Sequence, residues 1–162
     1  MSELAWFVAH TRPRCEKKLQ QFCERSGFAA TLLCYRSVRK YRGKQVVFQK
    51  PLFPGYVFLQ LLPGQRQPVA QNDHVANLLV VHDQTTFAHQ LDEIVKALDS
   101  DLEICLAPEI GVGMRVKIKA GPLRGMEGWV EQRYGMTTVL LRLDFIGQAA
   151  AVKLQAEELE LS

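Results

Sequence analysis

The chain changes character near residue 100, and this limits its possible folds more than any other feature. Beyond that point it runs in short β-prone stretches punctuated by glycine, as in "GMRVKIKAGPLRGMEGWV", with no amphipathic segment long enough for a helical core. About fifty residues of this kind read as a small barrel near the lower limit for independent folding. The stretch "DSDLEICLAPEIGVG" mixes acids, Pro108 and glycines and reads as a linker. The expected division is 1–100, a linker at 101–111, and 112–162.

The first part alternates strand and helix patterns. "LAWFVAH" has strand composition; Thr11 and Pro13 then offer a helix start and Gly27 a stop. Between them Cys15, Leu19, Phe22 and Cys23 form one apolar stripe, with Arg14, Lys17, Lys18 and Glu24 off it. "FAATLLCYR" reads as a strand, and "VRKYRGKQVVFQK" as a basic hairpin turning at "RGK". "GYVFLQL" is the next strand, a short helix falls within 66–73, and "VANLLVVH" is a further strand. Phe87, Leu91, Ile94, Val95 and Leu98 then mark an amphipathic helix capped by Thr85 or Thr86. The expected class is an α+β amino-terminal domain, an antiparallel sheet flanked by helices, followed by a small all-β barrel.

Charge divides the chain more sharply than composition does. Residues 1–72 carry 12 Lys and Arg against Glu3, Glu16 and Glu24, whereas residues 73–162 carry 8 against 14 acids. No Asp or Glu occurs from Arg25 to Asn72, while Arg36, Arg39, Lys40, Arg42, Lys44 and Lys50 crowd one short stretch. Such a patch draws phosphate by Coulomb steering and counterion release. A solvated basic face without a ligand is the plainer alternative.

Other classes fit poorly. With 48% hydrophobic and 23% charged residues the chain is globular in composition, and no apolar run approaches the ~18 residues of a membrane span. The start, "MSELAWFVAH", has no basic region leading into an apolar one, so a cytoplasmic protein is expected. Cys15, Cys23, Cys34 and Cys105 show no C-x-x-C spacing, which argues against a zinc knuckle, a redox dithiol or a disulfide scaffold. His10, His74, His82 and His89 are scattered, and no G-x-S-x-G, Walker A or H-E-x-x-H pattern occurs. No catalysis, metal or cofactor is expected, and the lack of a long coiled-coil stripe favours a monomer.

Two motifs in order carry a family resemblance. "VGMRVKIKAGPLRGMEGWVEQR" looks like the KOW motif, in which Gly121, Gly125 and Gly128 permit tight positive-φ turns. "AWFVAHTRPRCEKK" and "PLFPGYVFLQL" resemble the opening strand and helix and the most recognisable segment of the NusG amino-terminal domain. The resemblance to NusG-family transcription elongation factors covers most of the chain.

It implies that Phe53, Pro54, Tyr56 and Phe58, with His10 as a weaker neighbour, meet the clamp helices of the RNA polymerase β′ subunit. Strand alternation separates Tyr56 and Phe58 from Val57 and Leu59, so one face can pack inward while the other meets a partner. If all are core, no such partner face exists. By resemblance to the specialised paralogue RfaH, Arg12, Arg14, Lys18 and Arg25 are placed near the non-template DNA strand; Arg39, Lys40 and Arg42 join them on charge alone. Tyr35 and Tyr41, lying among the arginines, are candidates for base stacking, against simple strand packing.

At the barrel rim, Phe145, Ile146 and Gly147 match the family's site for a small-subunit ribosomal protein or the termination factor Rho. Ile146 stands where many relatives have phenylalanine and Gln148 where they have arginine, which weakens Rho contact. The threonine-rich gate-loop motif of RfaH has no counterpart in "RQPVAQNDH". The resemblance implies an elongation or antitermination factor, and the short linker, altered rim and basic first domain favour a specialised one. The rival reading is an RNA- or ribosome-binding KOW module; the balanced charge of residues 113–162 opposes it. Refolding of the second domain as a helical hairpin is opposed by the three glycines of "GPLRGMEGWV".

Overall fold

The computed structural model describes residues 4–100, 102–107, 114–133, 136–154 and 159–161. The chain forms two compact units, Met1–Thr85 and Thr86–Ser162. Among the described residues no helix is long and apolar enough to cross a membrane.

The first unit is α+β. Strands β1 (Ala5–Thr11), β2 (Ala29–Thr31), β5 (Tyr56–Leu61) and β6 (Val75–Val80) form an antiparallel sheet in the order β2-β5-β1-β6. Strand alternation puts Phe7, Ala9, Val57, Leu59 and Leu61 on one face, where they pack with Leu19 and Cys23 of α1 (Glu16–Arg25) and with Val69 of α2 (Arg66–Ala70). All of these residues but Phe7 are fully buried. The expected stripe is therefore the buried side of α1, with Cys15 just outside the helix at its N-cap. Gly27 ends α1 at φ 76°: its N–H bonds to Glu24 and that of Phe28 to Cys23 at 2.8 Å, a Schellman closure sealed by the Phe22–Phe28 ring contact.

The run "FAATLLCYR" is not one strand. It breaks at Leu32 and Leu33, where the chain leaves the four-stranded sheet; Leu33 is buried and its carbonyl accepts the Leu52 N–H at 2.8 Å. Beyond it β3 (Cys34–Tyr41) and β4 (Lys44–Pro51) pair with each other as a separate two-stranded ribbon. Its loop is Arg42-Gly43 with both residues at positive φ, 49° and 77°, the I′ geometry that matches strand twist.

Helix α3 (Gln84–Leu98) starts before the expected threonine cap. Gln84 anchors that start instead, accepting from the Trp6 N–H at 2.6 Å and donating to the Trp6 and Val81 carbonyls. The helix buries Phe87, Leu91, Ile94 and Ala97.

The second unit holds a six-stranded antiparallel sheet in the order β12-β8-β9-β10-β11-β7. Its strands are β7 (Ile104–Leu106), β8 (Met114–Ile118), β9 (Glu127–Arg133), β10 (Met136–Leu143), β11 (Gln148–Lys153) and β12 (Leu159–Leu161). The sheet is open: among the described residues, the terminal strands β12 and β7 do not pair with each other, so the expected closed barrel is seen only as a barrel-like sheet. Strand β7 lies within the stretch read as linker and pairs with β11; 101 and 108–111 of that stretch lie outside the described residues.

The motif glycines divide by cause. Gly121 and Gly125 sit at φ 87° and 93° between β8 and β9, as the turn reading expects. Gly128 is not at positive φ. A Cβ there would lie 2.5 Å from Val139 Cγ1 and 2.8 Å from the Leu140 carbonyl oxygen, so close strand approach demands glycine.

Candidate functional site

Phe53, Pro54, Gly55 and Tyr56 form a tight turn into β5. Pro54 supplies the fixed φ of the second position, Gly55 the positive φ of the third, at 87°, and the Tyr56 N–H returns to the Phe53 carbonyl at 3.2 Å. The Gly55 carbonyl accepts the Thr11 N–H at 2.8 Å and ties the turn to the end of β1. This places Tyr56 directly across from His10, whose ring stacks on it with centroids 5.2 Å apart.

The aromatic residues then separate into two sets. Phe53 and Phe58 are each 1% exposed and meet edge to face at 6.4 Å, so they belong to the core. His10 is exposed and Tyr56 half-buried, so the stacked pair is the accessible rim, next to exposed Pro54. Val57 and Leu59 point to the α1 side of the sheet, as alternation predicts.

The cations lie in two groups. Arg12, Arg14, Lys18 and Arg25 are all exposed. Arg12 is held by Nε donating to the Asp73 carbonyl at 2.9 Å, and Arg14 occupies a left-handed conformation at φ 61° just before α1. Lys18 and Arg25 are two turns apart on one side of α1, ~10 Å along its axis. Arg39, Lys40 and Arg42 lie on the ribbon, but not together. Arg39 and Lys40 alternate onto opposite faces, and Arg42 sits in the loop with its guanidinium 6.0 Å from the Tyr41 ring. Sequence reasoning did not single out Phe48 as sharing the Arg39 face; only the register shows it.

At the second unit, Phe145 and Ile146 lie in a short 3₁₀ turn, Asp144–Ile146, closed by Gly147 at φ 66°. The Phe145 ring meets Phe87 of α3 edge to face at 6.0 Å. Gln90 makes a two-point contact with the same turn, donating to Asp144 Oδ2 at 2.8 Å and accepting the Asp144 N–H at 3.0 Å. Nearby on the sheet, Trp129 carries Arg142 at 4.0 Å and Arg115 at 5.9 Å over its ring, and Arg115 pairs with Glu127.

Reactive groups are subdued. Burial pushes the Cys23 thiol up to about 11, with the Glu24 charge adding to it. Cys15 Sγ donates to the Pro13 carbonyl at 3.5 Å. Among the described residues no three His, Cys, Asp or Glu side chains gather as a metal set.

The sequence profile of the family described as "Transcription termination factor nusG" matches residues 4–98. Among solved structures, the one titled "Domain interaction in Thermotoga maritima NusG" aligns with 98% of this chain and 97% of its own at 19% identity and a TM-score of 0.52, a likeness of fold. The "MjSpt4:Spt5 complex" aligns over 96% and 95% at 18% identity with a TM-score of 0.30. No curated protein sequence matches the chain. With the profile spanning more than half of its residues, the chain belongs to the NusG family of transcription elongation factors.

Proposed function

We propose that this protein is a cytoplasmic, non-enzymatic factor that binds RNA polymerase through its first domain and promotes processive elongation and antitermination. The observation that supports this best is the His10–Tyr56 stack, an accessible aromatic pair on the same motif as the buried Phe53–Phe58 pair. A small rigid aromatic rim suits insertion of an apolar helix tip such as the β′ clamp helices offer. The exposed Arg12, Arg14, Lys18 and Arg25 are proposed to hold phosphates of the non-template strand without reading bases. The effect on elongation follows from preferential binding to the closed polymerase, since a binder shifts an equilibrium only by its differential affinity.

The working boundaries are a NusG-type domain at 1–100, a linker at 101–111 and a KOW domain at 112–162. The turn at Phe145, Ile146 and Gly147 is proposed to recruit a second partner, a small-subunit ribosomal protein in preference to Rho. Contact between Phe145 and Phe87 has to open for that ring to be offered. Binding of Tyr56→Ala and His10→Ala to core polymerase tests the reading: loss of affinity in folded variants supports it, and wild-type affinity in both removes it.

A further inference from the structure

No other strand of the described sheets pairs with the β3–β4 ribbon, whose outer part is exposed while its base, at Tyr35 and Lys50, is half-buried. A lone two-stranded ribbon is marginally stable, yet this one displays Val38 at 54%, Tyr41 at 68%, Val47 at 46% and Phe48 at 45% exposure. Opposed residues of such a ribbon share a face. The register pairs Tyr35 with Lys50, Ser37 with Phe48, Arg39 with Val46 and Tyr41 with Lys44 on one face. That face therefore alternates aromatic rings with cations. The other carries Val38 and Val47 between Arg36, Lys40 and glutamines.

We propose that the Tyr35/Phe48/Tyr41 face is a stacking platform for single-stranded DNA, with Arg39, Lys44 and Lys50 holding its phosphates. The three rings stand ~7 Å and ~14 Å apart along the ribbon, spread as separate stacking steps and not gathered as one core. No Asp or Glu lies between Cys34 and Pro51, and none of the ribbon's six cations joins an ion pair among the described residues. An apolar protein partner has no use for that surplus of charge. A duplex uses the charge but hides its base faces from the rings. An unpaired strand uses both. Ring stacking and phosphate contacts are common to every base, so binding is sequence-tolerant, and neither contact requires an RNA 2′-hydroxyl. This deepens the proposed role beside a transcription bubble, but the contact itself needs no polymerase.

The test is fluorescence anisotropy of the full chain with labelled dT15, a 15-base-pair duplex and rU15. Tyr41→Ala and Phe48→Ala are each expected to weaken dT15 binding at least about fivefold. Duplex binding is expected to be weaker than dT15 and insensitive to both changes, and rU15 to bind no tighter than dT15. Arg39→Ala, Lys44→Ala and Lys50→Ala together are expected to make the log–log salt slope for dT15 shallower by about 2, for three phosphates. Val38→Ser with Val47→Ser, on the opposite face, is expected to leave dT15 binding unchanged. Unchanged dT15 affinity in the aromatic variants, an equal loss in the valine variant, or tighter binding of duplex or RNA overturns the proposal. Core polymerase binding by the same variants is read separately, so loss of the His10–Tyr56 contact cannot be mistaken for loss of the platform.

Discussion

Tyr56 stands directly across from His10 on neighbouring strands, and the two rings stack with 26° between their planes. The next aromatic along β5, Phe58, is 1% exposed and meets Phe53 edge to face. One motif thus holds two kinds of aromatic residue, and substitution separates them. Phe53→Ala should lose ~3–5 kcal/mol of stability as a core truncation. Tyr56→Ala, at a half-exposed rim, should melt within a few degrees of the wild type. Urea unfolding of both variants checks this, and equal losses would contradict the division into rim and core.

Gly128 should be the least replaceable of the motif glycines. Gly128→Ala forces a methyl into Val139 and the Leu140 carbonyl, with an expected cost of ~1–3 kcal/mol or more because backbone yields poorly. Gly125→Ala meets open space and pays only for its positive φ, ~1 kcal/mol. Thermal melts of the two variants should rank in that order.

The Cys23 thiol gives a pH signature. Its folded value of about 11 lies above the ordinary 9.0, so the folded state keeps the proton that the unfolded state loses first. The contribution is complete below pH 9 and is lost as pH rises toward 11. Stability measured across that window should fall less in Cys23→Ala than in the wild type. Thiol labelling should likewise modify exposed Cys105 quickly and Cys23 only on unfolding.

Gln90 should govern exchange at the Asp144–Ile146 turn. It accepts the Asp144 N–H, so Gln90→Ala should raise hydrogen exchange at Asp144 while leaving the β10–β11 ladder protected. Unaltered exchange at Asp144 would count against that contact.

Features set by short-range pattern were legible in the sequence. The apolar period of α1, the glycine stop at Gly27 and the turn at Arg42-Gly43 all depend on neighbours within a few residues. Features set by distant contacts were not. The helix at Gln84 begins early because its side chain reaches β1, β7 is too short to show a period, and Gly128 reads as a turn residue until Val139 is placed above it. The same holds for the candidate site. The aromatic motif was visible, but the division into rim and core needed the β1–β5 register, and the alternation of rings and cations on one ribbon face needed the β3–β4 register.

Polymerase binding through the Tyr56 rim is tested most directly by the affinity of the purified protein for core RNA polymerase, compared between wild type and Tyr56→Ala at matched melting temperature. Tyr56→Ala is expected to bind at least about tenfold more weakly, as the loss of a central aromatic contact. Undiminished affinity in a folded Tyr56→Ala protein would contradict binding through that rim.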